Sequence, residues 1–172
     1  MASTDLITED YREQNKLLHA SDRTFGVGAR KKVGLIKALE ERYGTRDILD
    51  YGCGKKDLQG ALGYPIQNYD PCVDGCDGEP RPAKLLVSLD VLEHVEPNLL
   101  DNVLKHMSSL MLEAGLLIIA PRLSSAILPN GKNAHRIVEG KAWWVEQVSK
   151  YFTIEHVSPK EQDVIIYVKP LC

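Results

Sequence analysis

The stretch ILDYGCGKKDL, residues 48–58, decides the fold. An apolar run reaches an acid, Asp50, and two glycines follow with one residue between them. Two lysines, a second acid and the start of a helical pattern come next. Glycine reaches positive φ and lets a ligand approach the backbone with no Cβ in the way. A buried strand that leaves through Asp50, Gly52 and Gly54 is making room for something.

Working outward, the same texture recurs. Residues 47–52, 65–70, 84–90 and 115–121 read as strands, and three of them stop at an acid: Asp50, Asp70 and Asp90. Helical spacing of apolar residues predicts helices over 5–20, 30–43, 57–63, 97–112 and 139–151. Two alternating runs across 151–169, with PKEQ between them, predict a closing β-hairpin. Strands alternating with helices, two of them nearly continuous in Leu, Val and Ile, imply an α/β fold with a mostly parallel sheet covered on both faces. The hairpin adds an antiparallel pair at one edge. No repeat or low-complexity linker divides the chain, so 1–172 reads as one domain, with a helical N-terminal lid over 1–44 and the α/β core over 45–172.

The bulk numbers are those of a soluble globular protein: 172 residues, 44% hydrophobic, 26% charged. A net charge of −3 leaves no bulk basic field for nucleic acid. No apolar run approaches the ~20 residues that span a membrane, and the acidic N-terminal segment is unlike a signal peptide. Cys53, Cys72, Cys76 and Cys172 form no secreted disulfide pattern, which points to the cytoplasm. Cys72 and Cys76 make a C-x3-C pair, readable as free loop thiols or as half a zinc site, with no second pair at finger spacing.

If the strands are parallel, Asp50, Asp70 and Asp90 share one rim, beyond the strand C-termini where open α/β sheets bind ligands. The glycine loop is not built for phosphate. It reads G-x-G-K-K-D, with no third glycine and no Ser or Thr after a lysine. Asp57 occupies the helix start that a phosphate would want. The loop suits a ligand without phosphates, one carrying positive charge.

These residues carry a family resemblance. LDYGCGKKDL (49–58) resembles the first motif of class I S-adenosylmethionine-dependent methyltransferases. YDP (69–71) resembles the acidic end of their second strand, and SLDVLEHVEP (88–97) the stretch after their fourth. The terminal hairpin matches their ending, and LPNGKNAH (128–135) is similar to compact phage- and bacterial-type members. The likeness covers roughly 46–170 and implies a Rossmann-like three-layer αβα sandwich. It implies methyl transfer from S-adenosylmethionine to an O or N nucleophile of a small molecule or nucleotide.

Residue by residue, the resemblance places Gly52, Cys53 and Gly54 along the methionine part of the cofactor. Asp50 orients that loop or reaches the amino group. Asp70, with Pro71 beside it, meets the ribose hydroxyls. Asp90 and Val91 border the sulfonium and the substrate. Tyr11, Phe25 and Arg30 belong to the lid, with Arg30 toward the cofactor carboxylate. Two departures stand out. Lys56 takes the place of a third glycine, and the span from Asp70 to Lys84 is too short for the usual helix and strand. The sheet therefore has one strand fewer than the seven-stranded family form, and the 71–83 loop, with Asp77, is left to form the adenine pocket.

Asp90, Glu93 and His94 cluster within one turn, and His135 lies in the long loop after the fourth strand. In one reading Glu93 and His94 hold nearby loops, and His94 or His135 acts as general base, with Asp90 beside the reacting centre. In the other, Asp90, Glu93, His94 and His135 bind a divalent metal, as a similar E-H-plus-His pattern does in small-RNA 3′-terminal 2′-O-methyltransferases. Two imidazoles would favour Mn²⁺, Fe²⁺ or Zn²⁺ over Mg²⁺. Arg122, Lys132, Arg136 and Lys141 could then hold an RNA phosphate. The Trp143–Trp144 pair either packs in the core or, with one ring in the core, places the other over the pocket. A non-catalytic cofactor-binding subunit is the rival from another class.

Overall fold

The computed structural model describes residues 5–24, 28–160 and 162–171. Its elements, in chain order, are α1 (Glu9–Ser21), α2 (Val33–Tyr43), β1 (Ile48–Tyr51), α3 (Asp57–Leu62) and β2 (Gln67–Tyr69). Then come β3 (Ala83–Leu89), α4 (Leu100–Leu110), β4 (Met111–Ile119), α5 (Lys141–Ser149), β5 (Phe152–Val157) and β6 (Val164–Pro170). Short 3-10 turns precede α2 and α4 and follow β3.

The strands form a single six-stranded sheet in the order β2-β1-β3-β4-β6-β5. The first four are parallel, and β6 joins β4 and β5 antiparallel. From β1 the chain runs outward to β2, then crosses back to β3 on the other side. That reversal opens a crevice beyond the C-termini of β1 and β3, the usual ligand position in such sheets.

The near-continuous apolar strands are explained by which layer each side chain enters. Leu49, Leu86, Leu117 and Ile119 face a core shared with α4 and α5, where Leu104, Met107 and Trp144 pack. Their neighbours Ile48, Leu85, Val87, Leu116 and Ile118 face the opposite core, filled by Ile36 and Leu39 of α2 and Leu58 and Leu62 of α3. Alternate residues point to opposite faces, so a strand covered on both sides is apolar at nearly every position, with Asp50 and Ser88 the buried polar residues near the strand ends. α2, expected with the N-terminal cover, belongs to this second layer. What remains as cover is α1, whose Tyr11 and Leu18 pack on Leu128 and Ala134 of the loop after β4.

At two boundaries the difference from the sequence reading has a clear physical cause. The helix expected to run to 112 ends at Leu110, and β4 starts at Met111 with extended dihedrals and no turn between. Leu110 and Met111 are both buried, so apolar periodicity cannot mark where α4 stops. What ends it is pairing with β3, through Ala83↔Met111 and Leu85↔Ala114. α1 begins at Glu9, where the Thr8 side chain accepts the Tyr11 N–H at 3.3 Å as its N-cap.

The missing strand leaves β2 as a three-residue edge, followed by the 70–82 loop. Gln67 closes that edge with its side chain: Nε2 donates to the Arg81 carbonyl at 2.9 Å, and Oε1 accepts the Arg81 N–H at 2.8 Å. One amide side chain thus supplies the donor and acceptor of a ladder pair.

At the centre of the sheet, Gly115 sits between Leu86 of β3 and Val168 of β6. A Cβ there would lie 2.7 Å from Met111 Sδ and 2.9 Å from the Leu86 carbonyl. Gly115→Ala is expected to destabilise the fold by about 1–3 kcal/mol through overpacking. Urea denaturation checks it, and an unchanged midpoint would show that Met111 and the strand give way freely.

Candidate active site

The crevice is a cleft of about 370 Å³. Its floor is the exit of β1. Asp50 lies within the strand, 3% exposed, and Gly52 and Gly54 follow at φ of 85° and 50°. The Gly52 and Cys53 N–H groups donate to the Tyr69 carbonyl at 2.7 and 3.0 Å, which pins the loop to the end of β2. Val91 packs directly on Gly52, where a Cβ would come within 2.3 Å of Val91 Cγ2. That residue must be glycine twice over, for its φ and for its neighbour.

Asp70 follows β2 and joins two loops. Its Oδ2 accepts the Gly54 N–H at 3.0 Å, and its Oδ1 accepts the Cys72 N–H at 2.9 Å. Burial pushes its carboxyl up, and those two N–H groups pull it back. Asp50 has no such relief. Burial, then the charges of Asp70 and Asp57, raise it to about 7. Burial also pushes the Cys53 thiol up, with Asp70 and Asp50 adding to it, so Cys53 lines the cleft as a neutral side chain.

Lys56 holds the left-handed φ of 59° that a third glycine would have taken. Its N–H donates to the Cys53 carbonyl at 2.9 Å. The lysine therefore keeps the turn that the glycine would give, at the cost of backbone strain. Asp57 ties the N-terminal segment to α3, accepting the Gly28 and Arg30 N–H groups at 3.1 and 3.2 Å.

The turn after β3 forms the opposite wall. Asp90 also has a positive φ, 56°, and its carboxylate is ion-paired with Lys32. Glu93 is 0% exposed. Its Oε1 accepts the Ala120 N–H at 3.0 Å, while Oε2 is buried with no hydrogen-bond partner. Burial first, and Asp90 second, push Glu93 up to about 8. The His94 ring meets the Ala134 carbonyl through Nδ1 at 2.9 Å, and the His135 ring meets the Arg122 carbonyl through Nδ1. The two imidazoles stand edge to face, 4.6 Å between centroids. Burial, then His135, lower His94 to about 3, so it is neutral.

The structure thus gathers Asp50, Gly52, Cys53, Gly54, Asp70, Pro71, Asp90, Val91, Glu93, His94 and His135 around one cleft. Arg30 is not among the lining residues; its side chain is exposed and only its backbone N–H is used, by Asp57. Asp77 holds its own turn by accepting the Gly75 N–H at 3.1 Å, and does not line the cleft. Phe25 lies outside the described residues. Asp90 is ion-paired with Lys32 and lies outside the group Glu93, His94 and His135, the one grouping among the described residues with metal-ligand spacing. Cys72 and Cys76 are free thiols outside that grouping. Neither Trp143 nor Trp144 reaches the cleft; Trp144 is fully buried and Trp143 packs beside it.

The sequence reading missed Lys32, and it missed Asn15 and His19 of α1, which line the cleft with Tyr11. The signal was α1 itself, whose polar residues include some on the face toward the site. The Tyr11 hydroxyl donates to the His94 carbonyl, and the Thr8 hydroxyl donates to Glu96 at 2.8 Å, fixing the helix over the wall.

No family model matches the chain, and no curated protein matches it by sequence. Solved structures do match. The Burkholderia thailandensis 1,6-didemethyltoxoflavin-N1-methyltransferase, with 1,6-didemethyltoxoflavin and S-adenosylhomocysteine bound, aligns at TM-score 0.65 and 16% identity over 98% of this chain and 92% of that one. The DhpI–S-adenosylhomocysteine complex aligns at TM-score 0.65 and 13% identity, over 95% of this chain and 98% of the other. The mitomycin 7-O-methyltransferase MmcR aligns at 0.60 and 12% identity; the match spans 83% of this chain but 54% of that longer one. The fold is therefore that of class I S-adenosylmethionine-dependent methyltransferases, one strand short of seven.

The buried acids set a pH dependence. A carboxyl raised from 3.8 to about 7 binds more protons folded than unfolded. Asp50 therefore costs stability as pH rises from about 4 to about 7, after which the loss is complete. Asp50→Asn is expected to remove a few kcal/mol of that decline; urea midpoints at successive pH values check it, and parallel curves would place the titration elsewhere. Lys56→Gly is expected to stabilise by about 1 kcal/mol by relieving the left-handed lysine. A lower melting temperature would show that the lysine side chain offsets its own strain.

Proposed function

We propose that the protein transfers the methyl group of S-adenosylmethionine to an oxygen or nitrogen of a small molecule or nucleotide. The observation that carries this reading is Asp70, a buried carboxylate clamping the glycine loop at the topological switch point. The cleft fits the cofactor's chemistry. Asp50, Asp57, Asp70, Asp90 and Glu96 line it, while Arg122 is the only Lys or Arg among the described lining residues. Such a lining favours a ligand with a sulfonium and an ammonium and disfavours one with phosphates. When bound, the cofactor supplies an electrophilic methyl group.

The chain's own residues would do the rest. Gly52 and Gly54 leave backbone free to meet the methionine part, and Asp70 keeps lone pairs for ribose hydroxyls beside Pro71. Val91 braces the loop, and α1 with the 122–136 loop keeps water from the reacting atoms. His94 and His135 place ring nitrogens beside the acceptor. That Lys56 keeps the turn supports an open site over a non-catalytic subunit. Two of the four cations that would hold an RNA phosphate are engaged in other bonds. Arg122 pairs with Asp163 at 2.8 Å, and Lys141 donates to the Ser158 and Lys160 carbonyls at 3.0 and 2.8 Å. This supports a small acceptor over an RNA end.

Calorimetry with S-adenosylhomocysteine tests the reading. The native chain is expected to bind it, and Asp70→Asn to weaken binding by about 1–3 kcal/mol, the cost of imperfectly satisfied buried polar groups. No binding by the native chain, or an unchanged affinity in the variant, would remove Asp70 from a cofactor site. Binding without methyl transfer to any acceptor pool would favour the non-catalytic subunit.

A further inference from the structure

We propose that Glu93, His94 and His135 form a divalent-cation site in the cleft wall, and that the bound ion takes a methyl acceptor carrying two adjacent oxygens. The acceptor's role rests on the methyl-transfer reading above; the ion site does not.

Three independent features converge. One ligand atom from each residue lies within 4.8 Å of the other two. An ion with bonds of about 2.1 Å would set them roughly 3 Å apart, so they need only draw inward. Glu93 Oε2 is buried with no hydrogen-bond partner, and such a carboxylate oxygen is costly unless something positive meets it. Finally, both imidazoles are oriented from behind by backbone carbonyls, at Ala134 and Arg122. A carbonyl can only accept, so each ring carries its proton on Nδ1 and its lone pair on Nε2. That is how ligating histidines are usually held.

The scaffold beneath the cluster is rigid. The Glu93 carbonyl accepts the Arg136 and Ile137 N–H groups at 2.7 and 3.0 Å, locking the turn after β3 to the loop that carries His135. Asn133 Oδ1 accepts the His135 N–H at 2.9 Å. Loop support alone would use the bonds already made by Glu93 Oε1 and the two Nδ1 atoms; it gives Oε2 nothing to do.

Two imidazoles and one carboxylate select Mn²⁺, Fe²⁺, Co²⁺ or Zn²⁺ over Mg²⁺ and Ca²⁺. With Asp90 held by Lys32, three protein donors remain, and adjacent positions on the ion stay open. Two neighbouring oxygens, as in a catechol or a vicinal diol, fill such positions as a chelate. Coordination would lower the pKa of a hydroxyl enough to ionise it near neutral pH. The step balances. The hydroxyl proton goes to buffer, the oxygen bonds to the methyl carbon, and the S–C electron pair returns to sulfur, leaving a neutral thioether.

The test is calorimetry and electron paramagnetic resonance with MnCl₂ on metal-stripped full chain, with S-adenosylhomocysteine titrated separately. One Mn²⁺ per chain is expected. His135→Ala and Glu93→Gln should each lose at least tenfold in Mn²⁺ affinity while keeping S-adenosylhomocysteine affinity within about twofold. Added catechol should alter the Mn²⁺ spectrum of the native chain. Cofactor binding with no uptake of Mn²⁺, Co²⁺ or Zn²⁺ overturns the ion site, as does Mn²⁺ affinity indifferent to both substitutions. A spectrum unmoved by catechol overturns the acceptor assignment. Mn²⁺ binding without S-adenosylhomocysteine binding would retain the ion site and remove methyl transfer.

Discussion

The carboxylate of Asp70 holds the rim of the cleft together. It accepts one N–H from the glycine loop after β1 and one from the loop after β2. Its own N–H donates to the Cys76 carbonyl at 3.0 Å, closing the loop that stands in for an absent helix and strand. Two loops are thereby fixed relative to the sheet. Loops are normally the variable part of such a domain. Here a single buried side chain gives them one geometry, and Val91, pressed against Gly52, secures it from the other wall.

Much of this was legible in the sequence because the sheet is covered on both faces. Ile48–Leu49, Leu85–Leu86–Val87 and Leu116–Leu117–Ile118 feed two cores at once, so each strand reads as an unbroken apolar run. The glycine loop and its acids were legible because their spacing in the chain is local. What the sequence could not show depends on contacts between distant segments. The end of α4 is set by pairing with β3, in a stretch apolar on either side of the boundary. Asp90 looked like part of the cluster with Glu93 and His94. Its left-handed backbone and the approach of Lys32 from the start of α2 turn it elsewhere, and neither is encoded in the D-x-x-E-H spacing. Arg30 looked like the lid's cation, whereas the cation that reaches the site region is two residues further on.

Three buried carboxylates, Asp50, Asp70 and Glu93, face one small volume, and each makes its neighbours harder to ionise or is itself held back by burial. Such a site is electrostatically uphill when no cation compensates it. Positive ligands relieve that tension, whether a sulfonium near the glycine loop or an ion beside Glu93. On the proposed reading, the cleft gives up stability of the ligand-free fold for affinity toward cations.

The Gln67–Arg81 clasp has a consequence beyond closing a loop. Shortening a sheet by one strand exposes a new edge, and an exposed edge is a template on which a second chain can add strands. With its side chain Gln67 mimics the partner that is no longer there, and β2 is only three residues long. The far edge is guarded differently: β5 slips register between Ile154 and His156, and Glu155 is bridged to Arg42 and Lys169. Both edges of this short sheet thus carry features that oppose the addition of a further strand.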